Sequence, residues 1–252
     1  LTLLPFLFAV LGSFKSSGQI STNPLGLPDP WVWDNYTEVI GGGVIWTPLI
    51  NSIVIAVLTV ALVLVCGTLA TFAISRFTFR GREGIYGFFT IGLLFPAAVA
   101  ILPLYLMVRQ LDLLNSPLGV ALPQAAFALP VTVVVLRPFF AAIPVEMEEA
   151  ATMDGAGPMR FFLRILLPMS VPALITVSIL ALVTSWNGFI LPLLILTDPA
   201  AQTLPLGLAQ FSGSYTFDTA RVLAYAVVAM LPTILAYAFA EKYIVQGLTG
   251  EL

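Results

Sequence analysis

The densest group of chemistry-bearing residues in this chain is Glu146, Glu148, Glu149 and Asp154, with Arg160 and Arg164 close behind. Carboxylates in such a run can bind a cation, move protons or pair with a basic surface. A transition-metal site is disfavoured, because the chain has one cysteine, Cys66, and no histidine. Cys66 lies in an apolar stretch and reads as packing. No nucleophile, general base or metal set accompanies the run, so no catalytic residue can be assigned and the chain does not read as an enzyme. No phosphate-binding loop is present either: the only lysines are Lys15 and Lys242, and neither follows a Gly-rich segment. Two readings of the run stay open: part of a surface loop that merely connects spans, or an acidic rim offered to another protein as a docking element. A second pair, Trp186 and Asn187, offers an aromatic face and an amide. These suit the apolar ring faces and hydroxyls of a sugar. The same two side chains also serve to tie helices together.

The acidic run needs an element to hold it. Val145–Met153 contains good helix formers and no breaker, which predicts a short helix. At helical spacing Met147, Ala150, Ala151 and Asp154 share a face. The adjacent alanines predict a flat patch open to close approach by a partner, with Glu146, Glu148 and Glu149 over the rest. Gly155-Ala156-Gly157 ends the helix and permits a reversal. Pro158 suits the first position of a second helix. On that helix Arg160 and Arg164 lie one turn apart, suited to lipid headgroups.

The solvent of this chain is set by its composition. Apolar residues make up 59% of it, charged residues 9%, and the mean hydropathy is +1.02. Water-soluble domains carry about 25% charged residues. The net charge of −3 and the lack of a basic run give no sign of a nucleic-acid partner, and none is expected. Charge-free stretches predict an all-α membrane protein of six spans, treated as one domain over 1–252. The first, up to Phe14, covers about 21 Å as a helix against roughly 30 Å of hydrocarbon, and reads as the end of a longer span. The others run at about 48–75, 84–108, 117–136, 168–196 and 222–240. Polar loops at 15–47 and 197–219 and the segment 144–166 separate them. Several spans contain prolines, Pro96, Pro103, Pro123, Pro130, Pro172, Pro192 and Pro232, which reads mostly as kinks that shape packing. Arg76, Arg80, Arg82, Arg137, Arg160, Arg164 and Lys242 fall on one side of this arrangement; Lys15, Arg109 and Arg221 fall on the other. The positive-inside rule puts the first set, both termini and 144–166 in the cytoplasm, with 15–47 and 197–219 outside. No ionisable residue lies inside a predicted span, which weakens an ion-coupled carrier reading.

Glu149-Ala150-Ala151, then three residues, Gly155, nine residues, Ile165, one residue and Leu167-Pro168 reproduce a known pattern at every fixed position. It resembles the EAA signature of permeases of ATP-binding-cassette (ABC) importers. Phe139-Phe140, Ile143-Pro144, Glu148-Glu149, Ser185-Trp186-Asn187 with Pro192, Leu204-Pro205-Leu206 and the tail from Ile244 to Glu251 look like the carbohydrate, MalG-like branch. The chain departs from it in ending Gly250-Glu251-Leu252 and in its short first span. The resemblance covers nearly the whole chain and implies several things. The chain would be a channel-forming subunit in a bacterial cytoplasmic membrane, carrying a sugar or oligosaccharide. Its partners would be a second six-helix permease, two cytoplasmic ATPase subunits holding ATP and Mg, an external sugar-binding protein and membrane lipid; the chain itself would hold no cofactor. Glu146, Glu149, Ala150, Ala151, Asp154, Gly155, Ala156 and Gly157 would form the coupling element on the ATPase. Trp186 and Asn187 would be candidates for the sugar path. Gln202, Gln210, Ser212 and Tyr215 would face the binding protein. The same architecture could serve a polyol, glycerol phosphate or peptide, and a lone ion-coupled carrier is the reading from another class.

Overall fold

The computed structural model describes residues 4–208 and 218–249, with side chains described through residue 238. Within these residues the secondary structure is helical, with no strand. Ten helices carry the architecture: α1 (Leu4–Ser13), α2 (Trp46–Arg76), α3 (Arg82–Gly92), α4 (Ala97–Gln110), α5 (Pro117–Ala142), α6 (Val145–Met153), α7 (Pro158–Met169, with a π-helical stretch at Phe162–Leu166), α8 (Val171–Trp186), α9 (Ile190–Ile195) and α10 (Thr219–Thr249). Three of them, α2, α5 and α10, are long and apolar enough to cross a membrane. The count rises to five if α3 with α4, and α7 with α8, are each taken as one broken span.

Two expected spans are therefore not continuous. The stretch expected at 84–108 bends by 101° between α3 and α4. Proline has no backbone N–H and clashes with the preceding turn, so Pro96 cannot continue α3; it caps α4 with extended backbone instead. The stretch expected at 168–196 begins at an 80° bend between α7 and α8, beside Pro172. It then ends at Trp186, and Ile190–Ile195 follows as a separate short helix. Not every proline breaks its helix: Pro103, Pro123, Pro130 and Pro232 stay inside α4, α5 and α10. The segment expected as a loop at 15–47 also holds short helical pieces, at Ser17–Thr22 and Asp34–Gly41.

The centre of the bundle is α2 packed along α5, with α8 against both and α10 against α8 and α1. Small residues allow this approach. A Cβ at Gly67 of α2 would sit 2.6 Å from Thr132 Cγ2 of α5, closer than van der Waals contact allows. Outward faces remain apolar: Val57, Val65, Phe88, Leu94 and Val99 are all more than half exposed. Water would penalise such a surface, whereas lipid or a partner helix would not.

Two apolar cores lie toward opposite ends of the bundle. One gathers Phe72, Leu136, Phe140, Ile143, Ala151, Phe161, Phe162 and Leu166 beneath α6. The other gathers Val39, Ile45, Ala56, Trp186, Leu204, Ala224 and Tyr225 beneath the segments that follow α1 and α9.

Candidate functional site

The helix that carries the acidic run spans Val145–Met153 as the sequence predicts. Its end follows from glycine chemistry. Gly155 takes φ +78°, a left-handed conformation that costs other L-residues energy. This lets the Gly155 N–H reach Thr152 O at 2.9 Å and the Ala156 N–H reach Ala151 O at 2.8 Å. Carbonyls left orphaned by the helix end are thereby satisfied. Pro158 then opens α7 at its first position, where its missing N–H is harmless.

The alanine patch needs correction. Ala151 is 7% exposed and belongs to the chain's own core, with Met147 packed at its edge. Met147 and Ala151 are one turn apart, and that face holds α6 against the bundle. Only Ala150 of the pair is open. The outward surface consists of Glu146, Glu149, Ala150, Asp154, Gly155 and Gly157, with Ala156 half-buried. Met153 joins it at 88% exposure. The sequence pattern does not single out this apolar side chain, open beside an acidic rim.

Beneath this surface sits Arg76, the last residue of α2. Its side chain is 7% exposed. Nη2 donates to Phe140 O and Ile143 O, each at 2.7 Å, and Nη1 lies 3.6 Å from a Glu148 carboxylate oxygen. The guanidinium also lies over the Phe161 ring at 5.8 Å. Sequence reading counted Arg76 only as a marker of membrane sidedness. Its position at a span end beside an acidic helix was the available signal.

A second polar assembly lies within the bundle. Gln124 Oε1 of α5 accepts from Thr59 Oγ1 of α2 at 3.1 Å and from Ser185 Oγ of α8 at 2.6 Å. Three helices thus meet at one amide in apolar surroundings, where an unmade hydrogen bond would be costly. Gln124 is 9% exposed. Its amide lines a cavity of about 440 Å³ together with Phe127, Thr132, Thr184, Gly188 and Phe189. Gly188 lies in the break between α8 and α9, and a Cβ there would sit 2.7 Å from Gln124 Nε2. The larger cavity nearby, about 660 Å³ between α3, α4 and α5, is lined only by apolar side chains such as Phe88, Leu94 and Phe95. A lone amide in an apolar span is visible in the sequence, but its partners lie on other helices.

Trp186 and Asn187 lie elsewhere. Trp186 is 7% exposed and donates through Nε1 to Ala229 O of α10 at 3.2 Å. Asn187 is exposed and donates to Val183 O of its own helix at 3.0 Å. Both border a different cavity of about 380 Å³, with Phe6, Leu204 and Met230. Gln202 is half-buried, and its carbonyl accepts from Asn51 Nδ2 at 3.0 Å. Gln210, Ser212 and Tyr215 lie outside the described residues.

Comparison with known proteins agrees with this architecture. The family model described as "Binding-protein-dependent transport system inner membrane component" matches residues 63–245. The chain is 35% identical to the diacetylchitobiose uptake system permease protein NgcG of Streptomyces coelicolor, over 97% of this chain and 82% of that one. It is 34% identical to the trehalose transport system permease protein SugB of Mycobacterium tuberculosis, over 98% of this chain and 91% of that one. Among solved structures, it resembles a chain of a bacterial ABC transporter involved in import of the acidic polysaccharide alginate. The TM-score is 0.83 at 25% identity, covering 96% of this chain and 90% of that one.

Proposed function

We propose a function for a chain that belongs to the family of binding-protein-dependent transport system inner membrane components: it is a channel-forming permease subunit of an ATP-driven importer of saccharides. It is a membrane transport component and not an enzyme, as its relatives named permeases are. Counting each bent pair as one crossing and α1 as part of another gives six crossings. By the distribution of arginine, α6 and both termini face the cytoplasm.

The observation that carries the proposal is α6, held to its own bundle by Ala151 and Met147 while Glu149, Ala150 and Met153 stay open. Such a helix is braced from behind and free in front, as a docking element must be. It would rest on one of two cytoplasmic ATPase subunits, which hold ATP and Mg. Glu149 would pair with a basic residue there, Ala150 would allow close approach, and Met153 would add apolar contact. The saccharide would come from an external binding protein and pass between this subunit and a second permease. Relatives named for diacetylchitobiose and trehalose support a saccharide. So does the Gln124 cavity, which pairs an amide with the rings of Phe127 and Phe189. That cavity is a better candidate for the path than Trp186, whose indole is committed to α10.

The test is isolation of the chain from its native membranes in mild detergent, followed by identification of what co-purifies and an assay of ATP hydrolysis. An ATPase, a second multispan protein and saccharide-stimulated hydrolysis are expected. Glu149→Lys and Gly155→Trp should leave the chain in the membrane and abolish uptake; intact uptake with either would overturn the docking role. Gln124→Ala should raise the KM for uptake about tenfold, the worth of one hydrogen bond of roughly 1.4 kcal/mol. An unchanged KM would move the path elsewhere.

A further inference from the structure

The guanidinium of Arg76 is where four elements of this chain meet, and most of its partners are distant in sequence. It closes the end of α2. It donates to Phe140 and Ile143, 64 and 67 residues away, at the end of α5. Those carbonyls belong to a helix C-terminus, where partial negative charge favours a cation. It faces Glu148 on α6 and lies over Phe161 on α7. Placing a charge here costs desolvation energy, which is offset only when partners surround it. The same packing could have been had from an apolar side chain. The arrangement instead fastens α6 to the ends of two long helices through bonds with direction.

The fastening is incomplete. Arg76 Nε is buried without a hydrogen-bond partner, and the Glu148 oxygen at 3.6 Å is beyond hydrogen-bond distance. A small shift of α6 would bring that carboxylate into bonding range of the guanidinium. A guanidinium with one buried donor spare can tighten its hold on Glu148 when α6 moves, as a transmission element requires.

We propose that Arg76 is a positioning residue that transmits displacement of α6 to the adjoining end of α5, with Glu148 as the side chain it pulls on. The inference rests on α6 being the ATPase contact. Arg76 itself touches neither nucleotide nor saccharide; it acts through the helices it joins.

The test uses the assembled complex with its ATPase subunits, in a Cys66→Ser background, with ATP and orthovanadate as the probe. Spin-label pairs report two distances. One runs from Met153→Cys on α6 to Thr197→Cys at the far end of the molecule; the other runs from Ala142→Cys at the end of α5 to the same Thr197→Cys. Both distances should change in the otherwise unmodified complex. With Arg76→Met the α6 change should persist while the α5 change is lost, and Arg76→Lys, which keeps a donor cation, should recover part of it. A merely structural role would not separate the two pairs. An α5 change that survives Arg76→Met, with ATPase co-purifying as before, overturns the proposal and leaves the ATPase contact standing. Absence of any change in the unmodified complex overturns both. If Arg76→Met does not accumulate, Glu148→Ala serves as the second variant, since it leaves both carbonyl bonds in place. It should weaken the α5 change, and an undiminished change would count equally against the proposal.

Discussion

Two buried cations lie in opposite regions of this molecule, and they fasten it differently. Lys15, 1% exposed, donates through Nζ to Asn23 O at 2.8 Å and Pro24 O at 3.2 Å. Its partners are eight and nine residues away and carry no full charge. Around it, Asn35 Nδ2 bonds Ser13 O and Lys15 O, and Phe14 packs among Trp31, Trp33 and Tyr36. All of this lies within one stretch of chain. Arg76 reaches instead the end of α5 and Glu148 near the start of α6, 64 and more residues away. A local clasp stiffens the segment that contains it. A clasp between distant elements also couples their movements, because neither can shift without straining the bond. The comparison teaches that burial of a cation says little about its role until the sequence distance of its partners is known.

The comparison can be broken at either cation. The largest effect should come from Arg76→Met. It strands two carbonyls at the end of α5 and leaves Glu148 without its cation, at about 1–3 kcal/mol for each stranded carbonyl. The melting temperature of the detergent-solubilised chain should fall furthest in this variant. Lys15→Met should cost less, about 1–3 kcal/mol, because the two freed carbonyls belong to a loop that can turn them toward water. Once assembled, this variant should retain the ratio of saccharide-stimulated to basal ATP hydrolysis. Loss of that ratio would show that the Lys15 region takes part in transmission and would erase the distinction. The smallest effect should come from Arg221→Gln. Arg221 pairs with Glu38 at 2.6 Å and Asp218 at 3.3 Å, but the groups are a third to a half exposed. Such pairs contribute about 0–1 kcal/mol and weaken with salt. A melting shift as large as that of Lys15→Met would mean that the exposed pair does more than its solvation allows.

Much of the candidate site was legible in the sequence. The helix at Val145–Met153, the turn at Gly155 and the restart at Pro158 were read from helix formers, glycine and proline in order, and each is where the sequence put it. These are local effects, decided within a turn or two by backbone sterics. The burial of Ala151 was not legible. Helical spacing put Ala150 and Ala151 on one face, but which edge of that face turned inward depended on Phe161, Phe162 and Leu166 packing from α7. Nor was the course of the third and fifth expected spans. Hydropathy registers the length of an apolar stretch and not its direction, so bends of 101° and 80° pass unseen.

The sequence by itself determined the solvent, the helical class and the helix, turn and restart at 145–158, because composition sets transfer energies and short-range sterics set helix ends. Only the tertiary structure decided that Arg76 meets Glu148, that Thr59 and Ser185 meet at Gln124, and that Trp186 belongs to α10. Those partners lie 43 to 126 residues apart. No local preference encodes such meetings; they follow from how the helices pack, where every buried polar group must find a partner among whatever the other helices bring.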